Sequence, residues 1–441
     1  MSDPDAEASA SASSAAGAEE PIPYRDRVGD IRDVLVKQGS LGLLLIDISE
    51  LAQVERHYGS GAFENVLRMA RDLVLELRGS EVRQSDILTI NDKGGDAFLV
   101  FLSPKRHEGP IKVSDLRAAA ERVEDRLNRK LTRLASPYLP SPRQVTVGFS
   151  LVFFNPLVMP ERLVARLVDE AWEYVRVQRQ QRDLQNRFWL QEVLLQDKLA
   201  TVFQPILNLR DMRPLGYEAL SRGPAGTAYH MPLRLFEMAS ESDLVFELDR
   251  KCRRRALLSA RHLPTTAKLF INVFPSAMYD PEFQGAGLLR LLEDLGLTPQ
   301  RIVLEITEKY AIENYTLFAE AMEDFVKLGF SIAVDDVGAG YSGLEKIAHL
   351  NPHFLKFDRQ LIRDIDSSYI RREMTRALKA FADKIGSTII VEGIEREGEL
   401  KALLDLGIDY GQGFLLGRPT ATFAPAVFRP TPRPDGATAL I

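Results

Sequence analysis

Eight short apolar runs recur along about 220 residues after Leu199, and helical segments separate most of them. Alternating strands and helices favour a parallel sheet, because a helical crossover returns the chain to the same end of the sheet. Eight such units at this length predict a (β/α)8 barrel that closes on itself. The predicted strands are Val202–Ile206, Leu215–Leu220, Lys268–Val273, Arg301–Ile306, Ser331–Asp336, Phe354–Asp358, Thr388–Gly393 and Asp409–Phe414.

Polar side chains stand near the carboxyl ends of these strands, which is where a barrel of this kind collects its active-site residues. A single strand-end carboxylate is often a helix N-cap, but six or more polar residues on successive strands cannot all be caps. Carboxylates that converge on one mouth repel each other unless cations lie between them. The strand-end residues are Glu218, Asn272, Glu305, Asp335, Asp336, Lys356, Glu392 and Gln412.

These residues predict a site for hard cations and phosphate. Carboxylate and amide oxygens suit magnesium, manganese or calcium rather than zinc, and two divalent ions held by carboxylates are typical of phosphodiester hydrolysis. Lys356 is interpreted as the group that positions water or neutralises phosphate charge, with a rim salt bridge as the alternative. Arg222, four residues after Glu218, is expected to bind a second phosphate through its planar guanidinium.

A smaller α/β domain is predicted before the barrel. Its signals are a strand at Leu41–Ile48, the runs ILTI and AFLVFL with Gly94 and Gly95 in the turn between them, and a strand at Val145–Phe154. A long helix is expected from Pro160 towards Lys198. The predicted division is an Ala/Ser-rich disordered tail (1–23), the smaller domain (24–185), a helical linker (186–198), the barrel (199–428) and a second disordered tail (429–441).

Charge and cysteine content limit the partners and the compartment. Lys and Arg total 56 against 62 Asp and Glu, so a net charge of −6 gives no general attraction to a nucleic-acid polymer or to anionic lipid. The single cysteine, Cys252, excludes thiolate metal clusters and favours a reducing compartment. No apolar run approaches the ~20 residues of a membrane span, and the first residues do not resemble a secretory signal. We therefore expect a cytoplasmic location.

The ordered motifs of the barrel region resemble those of the EAL-domain family of bacterial cyclic di-GMP phosphodiesterases. The resemblance covers about Leu199–Phe428. It rests on QPI at 204–206, YEALSR at 217–222, INV with Asn272, EITE with Glu305 and Glu308, DDVGAGYSGL from Asp335, LKFD with Lys356 and Asp358, VEGIE with Glu392 and Glu395, and GQGFLLGRP with Gln412 and Pro419.

The resemblance implies hydrolysis of cyclic di-GMP to linear pGpG with two Mg²⁺ or Mn²⁺ ions per barrel. It implies catalytic roles for Lys356, Glu392 and Glu218. It also implies that Glu308 supports the glycine-rich loop. Val337 and Ala339 depart from the usual phenylalanine and threonine of that loop. The implied metal ligands are Glu218, Asn272, Glu305, Asp335, Asp336 and Glu392. The implied substrate contacts are Gln204, Leu220, Arg222, Asp358, Glu395, Gln412 and Pro419.

A cyclic di-GMP receptor that does not hydrolyse its ligand is the alternative. Receptors of this kind usually lack several metal ligands, and no ligand position is lost here, so the enzyme is favoured.

The smaller domain resembles the GGDEF family of diguanylate cyclases in a degenerate form. Asp47 stands at the position of the first metal aspartate, and the motif GGDAF keeps Asp96 but has Ala97 in place of the catalytic glutamate. Glu55 replaces a guanine-contacting asparagine. The resemblance implies an inactive regulatory domain with GTP as its candidate ligand, or a purely structural domain that pairs two chains in a homodimer.

Overall fold

The chain divides into two compact units, Met1–Gln185 and Asn186–Ile441. The computed structural model describes residues 21–83, 85–91, 96–102, 111–135, 145–307, 322–338 and 344–424. Within these ranges, short 3-10 turns lie at Tyr24–Arg27, Ser49–Leu51, Ala260–His262, Pro275–Tyr279, Pro281–Phe283 and Pro299–Arg301.

The first unit contains a four-stranded sheet with the order β2-β3-β1-β4, and each neighbouring pair is antiparallel. The inner strand at 40–47 has only apolar residues and glycine between Ser40 and Asp47, and it is buried along all eight residues. The predicted strands of this region are present, while the turn at 92–95 lies outside the described residues. The strands are β1 (Ser40–Asp47), β2 (Ile87–Ile90), β3 (Ala97–Leu102) and β4 (Thr146–Phe153).

The helices of the first unit pack on both faces of this sheet, because each carries an apolar stripe. Helix α1 ends at Gly39, whose φ of 74° allows the left-handed conformation of a C-cap. The helices are α1 (Val28–Gln38), α2 (Ala52–Tyr58), α3 (Ser60–Leu75) and α4 (Val113–Ala135).

Helix α5 (Pro160–Leu195) is 36 residues long. It was expected to continue towards Lys198 but ends three residues earlier, because Asp197 adopts a φ of 51° and the amide of Lys198 turns back to the carbonyl of Val193. Its last turns carry Leu190 and Val193, which pack in a core with Leu235 of the second unit.

The second unit is a closed eight-stranded barrel, as predicted, with the strand order β10-β11-β12-β5-β6-β7-β8-β9. The strands are β5 (Ala200–Asn208), β6 (Pro214–Arg222), β7 (Lys268–Asn272), β8 (Ile302–Thr307), β9 (Ser331–Val337), β10 (Phe354–Phe357), β11 (Thr388–Val391) and β12 (Tyr410–Gly411). Helices of this unit include α6 (Pro232–Glu241), α7 (Val245–Ser259), α8 (Gly285–Asp294), α9 (Leu344–Leu350), α10 (Arg359–Ile362), α11 (Tyr369–Ile385) and α12 (Glu397–Asp405).

The expectation of a fully parallel sheet is wrong for β5, which runs antiparallel to both β6 and β12. The reason lies in the connection, since only five residues separate Asn208 from Pro214. A parallel return needs a crossover of a dozen or more residues, whereas a tight turn forces a hairpin. Asn208 stabilises this turn, because its side-chain oxygen accepts hydrogen bonds from the backbone amides of Arg210 and Asp211.

The interior of the barrel is layered. An apolar layer fills its middle, and alternation along each strand places the next inward-facing residue two positions further towards the mouth. A single strand therefore contributes one residue to the apolar layer and another, two positions away, to a polar layer. The apolar layer consists of Ile206, Phe270, Val303, Ala333, Phe354 and Ile390.

Among the described residues, no helix combines the length and the apolar character needed to cross a bilayer.

Candidate active site

The polar layer above this apolar layer contains one residue from each of the eight strands or from the position directly after it. On β7 to β11 the polar residue lies two positions beyond the apolar one, as in Val303 and Glu305. On β5 the order is reversed, because that strand runs the other way. The layer consists of Gln204, Glu218, Asn272, Glu305, Asp335, Lys356, Glu392 and Gln412.

Lys356 is at the centre of this layer and is fully buried. Its Nζ atom lies 2.7 Å from Glu392 Oε1, 2.9 Å from Glu305 Oε1, 3.3 Å from Asp335 Oδ1 and 3.4 Å from Glu218 Oε2. Lys356 does form ion pairs with neighbouring carboxylates, as in the alternative interpretation, but these pairs are buried in the barrel, and the role of Lys356 towards water or phosphate stays a prediction. The ammonium group lies inside the carboxylate cluster and partly neutralises it.

Two amides hold the carboxylates in place. Gln412 Nε2 donates to Glu218 Oε2 at 2.7 Å and to Glu392 Oε1 at 2.9 Å. Asn272 Nδ2 donates to Glu218 Oε1 and to Glu305 Oε2, both at 3.2 Å. Because each amide bridges two acids, the cluster is preorganised by neutral donors as well as by the ammonium.

Burial raises the pKa values of Glu305, Asp335, Asp336 and Glu392, since the charged form loses its hydration. The pKa of Glu305 is raised well above its usual range, and that of Glu392 is raised to about 8. Burial and the neighbouring Asp335 raise the pKa of Asp336 to about 6. Burial lowers the pKa of Lys356, but the surrounding carboxylates outweigh this effect and raise it.

These shifts predict that the metal-free protein loses stability as the pH rises. The folded pKa of Glu392, about 8, exceeds the value of about 4.5 in the unfolded chain, so between them the native state binds more protons. The free energy of unfolding should therefore fall across this window. Urea unfolding at several pH values, with a chelator present, measures the free energy of unfolding. In Glu392→Gln this free energy should fall less steeply with pH than in the wild type. A wild-type decline that Glu392→Gln leaves unchanged would contradict the assignment.

The cluster fits divalent cations. Carboxylate oxygens of Glu218, Glu305 and Asp335 lie within 4.8 Å of one another, and so do those of Asp335, Asp336 and Glu392. Among the described residues, Gln412 Oε1 is buried and accepts no hydrogen bond, so this oxygen has free lone pairs. All these donors are oxygens, which suit Mg²⁺ or Mn²⁺.

The sequence comparison with protein families adds to this geometry. The EAL domain family matches residues 187–419, which is more than half of the chain. The chain belongs to the EAL family. The second unit is therefore an EAL barrel.

Individual relatives agree with this membership. The chain is 26% identical over 430 residues to the cyclic di-GMP phosphodiesterase PdeR of Escherichia coli, which covers 91% of this chain and 61% of that protein. It is 32% identical over 241 residues to the cyclic di-GMP phosphodiesterase NbdA of Pseudomonas aeruginosa, covering 54% and 31%. The chain thus spans less than two thirds of the length of these curated relatives.

A solved structure shows the same fold. The EAL domain of FimX from Xanthomonas citri, in complex with cyclic di-GMP, superposes with a TM-score of 0.51 at 22% identity. The match covers 56% of this chain and 98% of that chain.

The strand β9 ends in a strained backbone at the mouth of the EAL barrel. Asp336 has a φ of 60°, which a non-glycine residue rarely adopts, and its amide donates to Asp335 Oδ1 at 3.0 Å. This turn directs consecutive aspartates to different positions around the cluster. Val337, which departs from the usual family residue, is buried in the core. Ala339 and Glu308 lie outside the described residues.

Other predicted substrate residues lie outside the carboxylate network. Asp358 caps α10, where its side chain accepts from the amide of Gln360 at 2.7 Å. Glu395 forms an ion pair with Arg359 at 2.7 Å. Leu220 pairs with Val202 across the β5–β6 hairpin, while Gln204 donates to the carbonyl of Gly417 at 3.0 Å. Pro419 is half-buried. Their contacts with a ligand stay predictions.

Arg222 stands at the carboxyl end of β6 and is half-buried. Its guanidinium donates to the carbonyl of Ser221 at 2.8 Å, and the described residues give it no ion pair. Burial lowers its pKa, and only Glu218 counteracts this effect. A partly desolvated cation without a paired acid is suited to an anionic ligand.

The predicted metal aspartate of the first unit has a different partner. Asp47 is fully buried, and its Oδ2 lies 2.6 Å from Nη2 of Arg179 on α5. Ala97 stands directly opposite Asp47 in the β1–β3 ladder, and Asp96 accepts the amide of Ile48 through its backbone carbonyl. A metal at Asp47 would have to displace Arg179. The sequence analysis missed this arginine because it lies in a strongly polar stretch that looks like a solvated linker.

Proposed function

We propose that the EAL barrel hydrolyses cyclic di-GMP to linear pGpG with Mg²⁺ or Mn²⁺. The observation that carries this proposal is the buried acidic cluster around Lys356, in which Asp335 belongs to both candidate metal groups. The two curated relatives described above are both cyclic di-GMP phosphodiesterases by name. Family membership and an intact ligand set therefore support the same chemistry.

The charge of the cluster supports two ions. Five carboxylates and one ammonium leave four uncompensated negative charges when every group is ionised. Two divalent cations would neutralise these charges, and the residues that would hold them are Glu218, Glu305, Asp335, Asp336 and Glu392. When bound, such ions would lower the pKa of a water molecule and stabilise negative charge on the phosphate.

The reaction is a displacement at phosphorus. Water attacks one phosphate of the cyclic ligand, the bond to the ribose 3′ oxygen breaks, and that oxygen takes up a proton as the linear product forms. In our proposal the Lys356 ammonium orients the water and stabilises negative charge on the phosphate. Glu392 serves as a ligand or accepts the proton of the water. Gln412 keeps Glu218 and Glu392 in position.

Turnover of cyclic di-GMP by the full chain tests this function. The expected result is conversion to pGpG that requires Mg²⁺ or Mn²⁺ and stops when a chelator is added. Binding of cyclic di-GMP without hydrolysis, with either ion and with or without GTP, would overturn the enzyme and favour the receptor. Failure to bind cyclic di-GMP would overturn both.

Replacing Arg222 should weaken substrate binding. Arg222→Ala removes the half-buried guanidinium at the mouth, so we expect KM to rise by about tenfold to a hundredfold, with a smaller change in kcat. Arg213→Ala, in the hairpin turn just before β6, is the matched control because Arg213 is largely exposed. Equal kinetics for the two variants would show that Arg222 does not contact the phosphate.

The role of the first unit is a separate proposal. We infer that it regulates the barrel and has no cyclase activity, because Ala97 lies opposite Asp47 and because Arg179 forms an ion pair with the Asp47 carboxylate. GTP is still its candidate ligand, and Arg179 is the group that a metal-bound nucleotide would displace from Asp47.

The effect of GTP on cyclic di-GMP hydrolysis tests this role. Stimulation of hydrolysis by GTP would support a nucleotide-sensing first unit, and Arg179→Ala should strengthen GTP binding. No effect of GTP on either protein would favour the purely structural role.

A further inference from the structure

Helix α7 contains a buried arginine that the proposed hydrolysis does not use. Arg253 is 2% exposed. Its Nε donates to Asp249 Oδ2 at 2.8 Å, and its Nη2 donates to Asp280 Oδ2 at 2.9 Å. Asp280 follows β7 and caps the short turn Pro281–Phe283. The arginine therefore joins α7 to the segment after β7, and neither of its two acids belongs to the polar layer.

One nitrogen of this guanidinium has no partner among the described residues. Arg253 Nη1 forms neither a hydrogen bond nor an ion pair there, although the side chain is almost completely buried. It is not among the unpaired polar atoms that are sealed from solvent. A buried donor normally has a partner, because an unpaired one loses its hydration without compensation. Nη1 is therefore a donor that a ligand can reach.

Arg253 lines a cavity between α7 and α8. The cavity has a volume of about 210 Å³, and a cavity of ~150 Å³ already admits a benzene ring. Leu257, Phe283 and Leu291 form its apolar wall. The Arg253 guanidinium carbon lies 4.2 Å from the centre of the Phe283 ring, so the donor borders this wall. Gly287 also lines the cavity, and a Cβ there would meet no atom within 4 Å.

The charged groups that line the cavity leave one positive charge in excess, because they are three arginines and two acids. Both oxygens of Asp280 already accept from arginines, since Arg250 donates to Oδ1 at 2.8 Å and to Oδ2 at 3.0 Å. Arg254 forms no hydrogen bond within the described ranges, and it lies 3.8 Å from Glu282, with both side chains more than half exposed. Such an exposed pair contributes little, so a ligand can replace it.

We propose that this cavity binds a small organic monoanion, with its carboxylate on Arg253 and Arg254 and its body against the apolar wall. A carboxylate accepts N–H groups in the plane of a guanidinium, which suits Nη1. One negative charge matches the excess of the lining groups, whereas Asp280 and Glu282 would repel a phosphate dianion. The apolar wall favours a ligand with an apolar body over a free inorganic anion.

Fluorine NMR of para-fluorobenzoate added to the full chain tests this site. We expect the signal to broaden with a Kd on the order of 1 mM. Neutral para-fluorobenzamide should bind about tenfold more weakly or worse, because it lacks the charge. Absence of para-fluorobenzoate binding at about ten times that concentration, or equal binding of the two probes, would overturn the proposal.

Filling the cavity shows where the probe binds. Gly287→Leu places a side chain in the open space and keeps the helix, because leucine favours a helix more than glycine does. We expect para-fluorobenzoate to bind about tenfold more weakly or worse, with no fall in the unfolding temperature. Ala286→Leu, at the neighbouring exposed position of α8, is the matched control and should bind like the wild type. Equal binding by Gly287→Leu and the wild type would place the probe elsewhere and refute the site.

Arg253→Lys tests the buried arginine itself. Lysine keeps a positive charge beside Asp249 and Asp280, but its single nitrogen cannot serve two acids and a ligand. We expect about tenfold weaker binding of para-fluorobenzoate, with the fold checked by circular dichroism. Arg261→Lys, at an exposed position after α7, should bind like the wild type. Unchanged affinity in Arg253→Lys would overturn the assignment of Nη1, and Gly287→Leu decides the proposal if the lysine variant does not fold.

Discussion

Lys356→Met is expected to reduce hydrolysis by about a thousandfold or more and to destabilise the metal-free protein by about 3–5 kcal/mol. Methionine fills a similar volume but removes the ammonium that lies within 3.4 Å of four acids. The acids then face each other without a counter-charge, in a place where water cannot screen them. The chemical step also loses its positioned cation.

Turnover assays and urea unfolding in a chelator measure the two effects. Adding Mg²⁺ should recover more stability in Lys356→Met than in the wild type, because bound cations replace the missing charge. Lys384→Met is the matched control, since Lys384 is exposed. Unchanged turnover or unchanged stability in Lys356→Met would refute a central role for the ammonium.

Glu218→Gln should reduce turnover by a similar factor, about a thousandfold, but with a smaller effect on metal-free stability. Glu218 contacts both bridging amides and belongs to one of the candidate metal groups. Its loss removes a cation ligand, and hydrolysis should fail. It also removes one of several repelling charges while it keeps the volume, which offsets the hydrogen-bond acceptor that one of the two amides loses, so the metal-free protein should lose less stability than Lys356→Met.

The matched control for this variant is Glu345→Gln on α9, because Glu345 is exposed. The stabilisation that Mg²⁺ or Mn²⁺ gives the wild type should shrink in Glu218→Gln and stay intact in the control. Retained hydrolysis in Glu218→Gln would eliminate the proposed metal site. A large loss of metal-free stability would show that Glu218 has a mainly structural role.

The barrel was predictable because its strands are short, apolar and regularly spaced, and because their polar residues fall at strand ends. The direction of β5 was not anticipated, although the five-residue gap before Pro214 was visible in the sequence and rules out a crossover. The burial of the polar residues was harder to predict. Lys356 was identified as a strand-end cation, but its contact with four acids depends on how the strands are staggered around the barrel.

The first unit shows a different limit. The sequence indicates that Asp47 ends a buried strand, but the pairing with Arg179 joins residues 132 positions apart in the chain and depends on tertiary packing.

The reversed strand β5 also decides where the chain joins the barrel. Ala200 pairs with Arg222 at the carboxyl end of β6, so the first residue of β5 lies at the rim that carries the acidic cluster. Four residues separate the end of α5 from this point. In a barrel with all strands parallel, the same helix would join the opposite rim, about 20–30 Å of strand away. The chain therefore enters the barrel on the side of the polar layer, four residues before Gln204, whose ladder partner is Glu218.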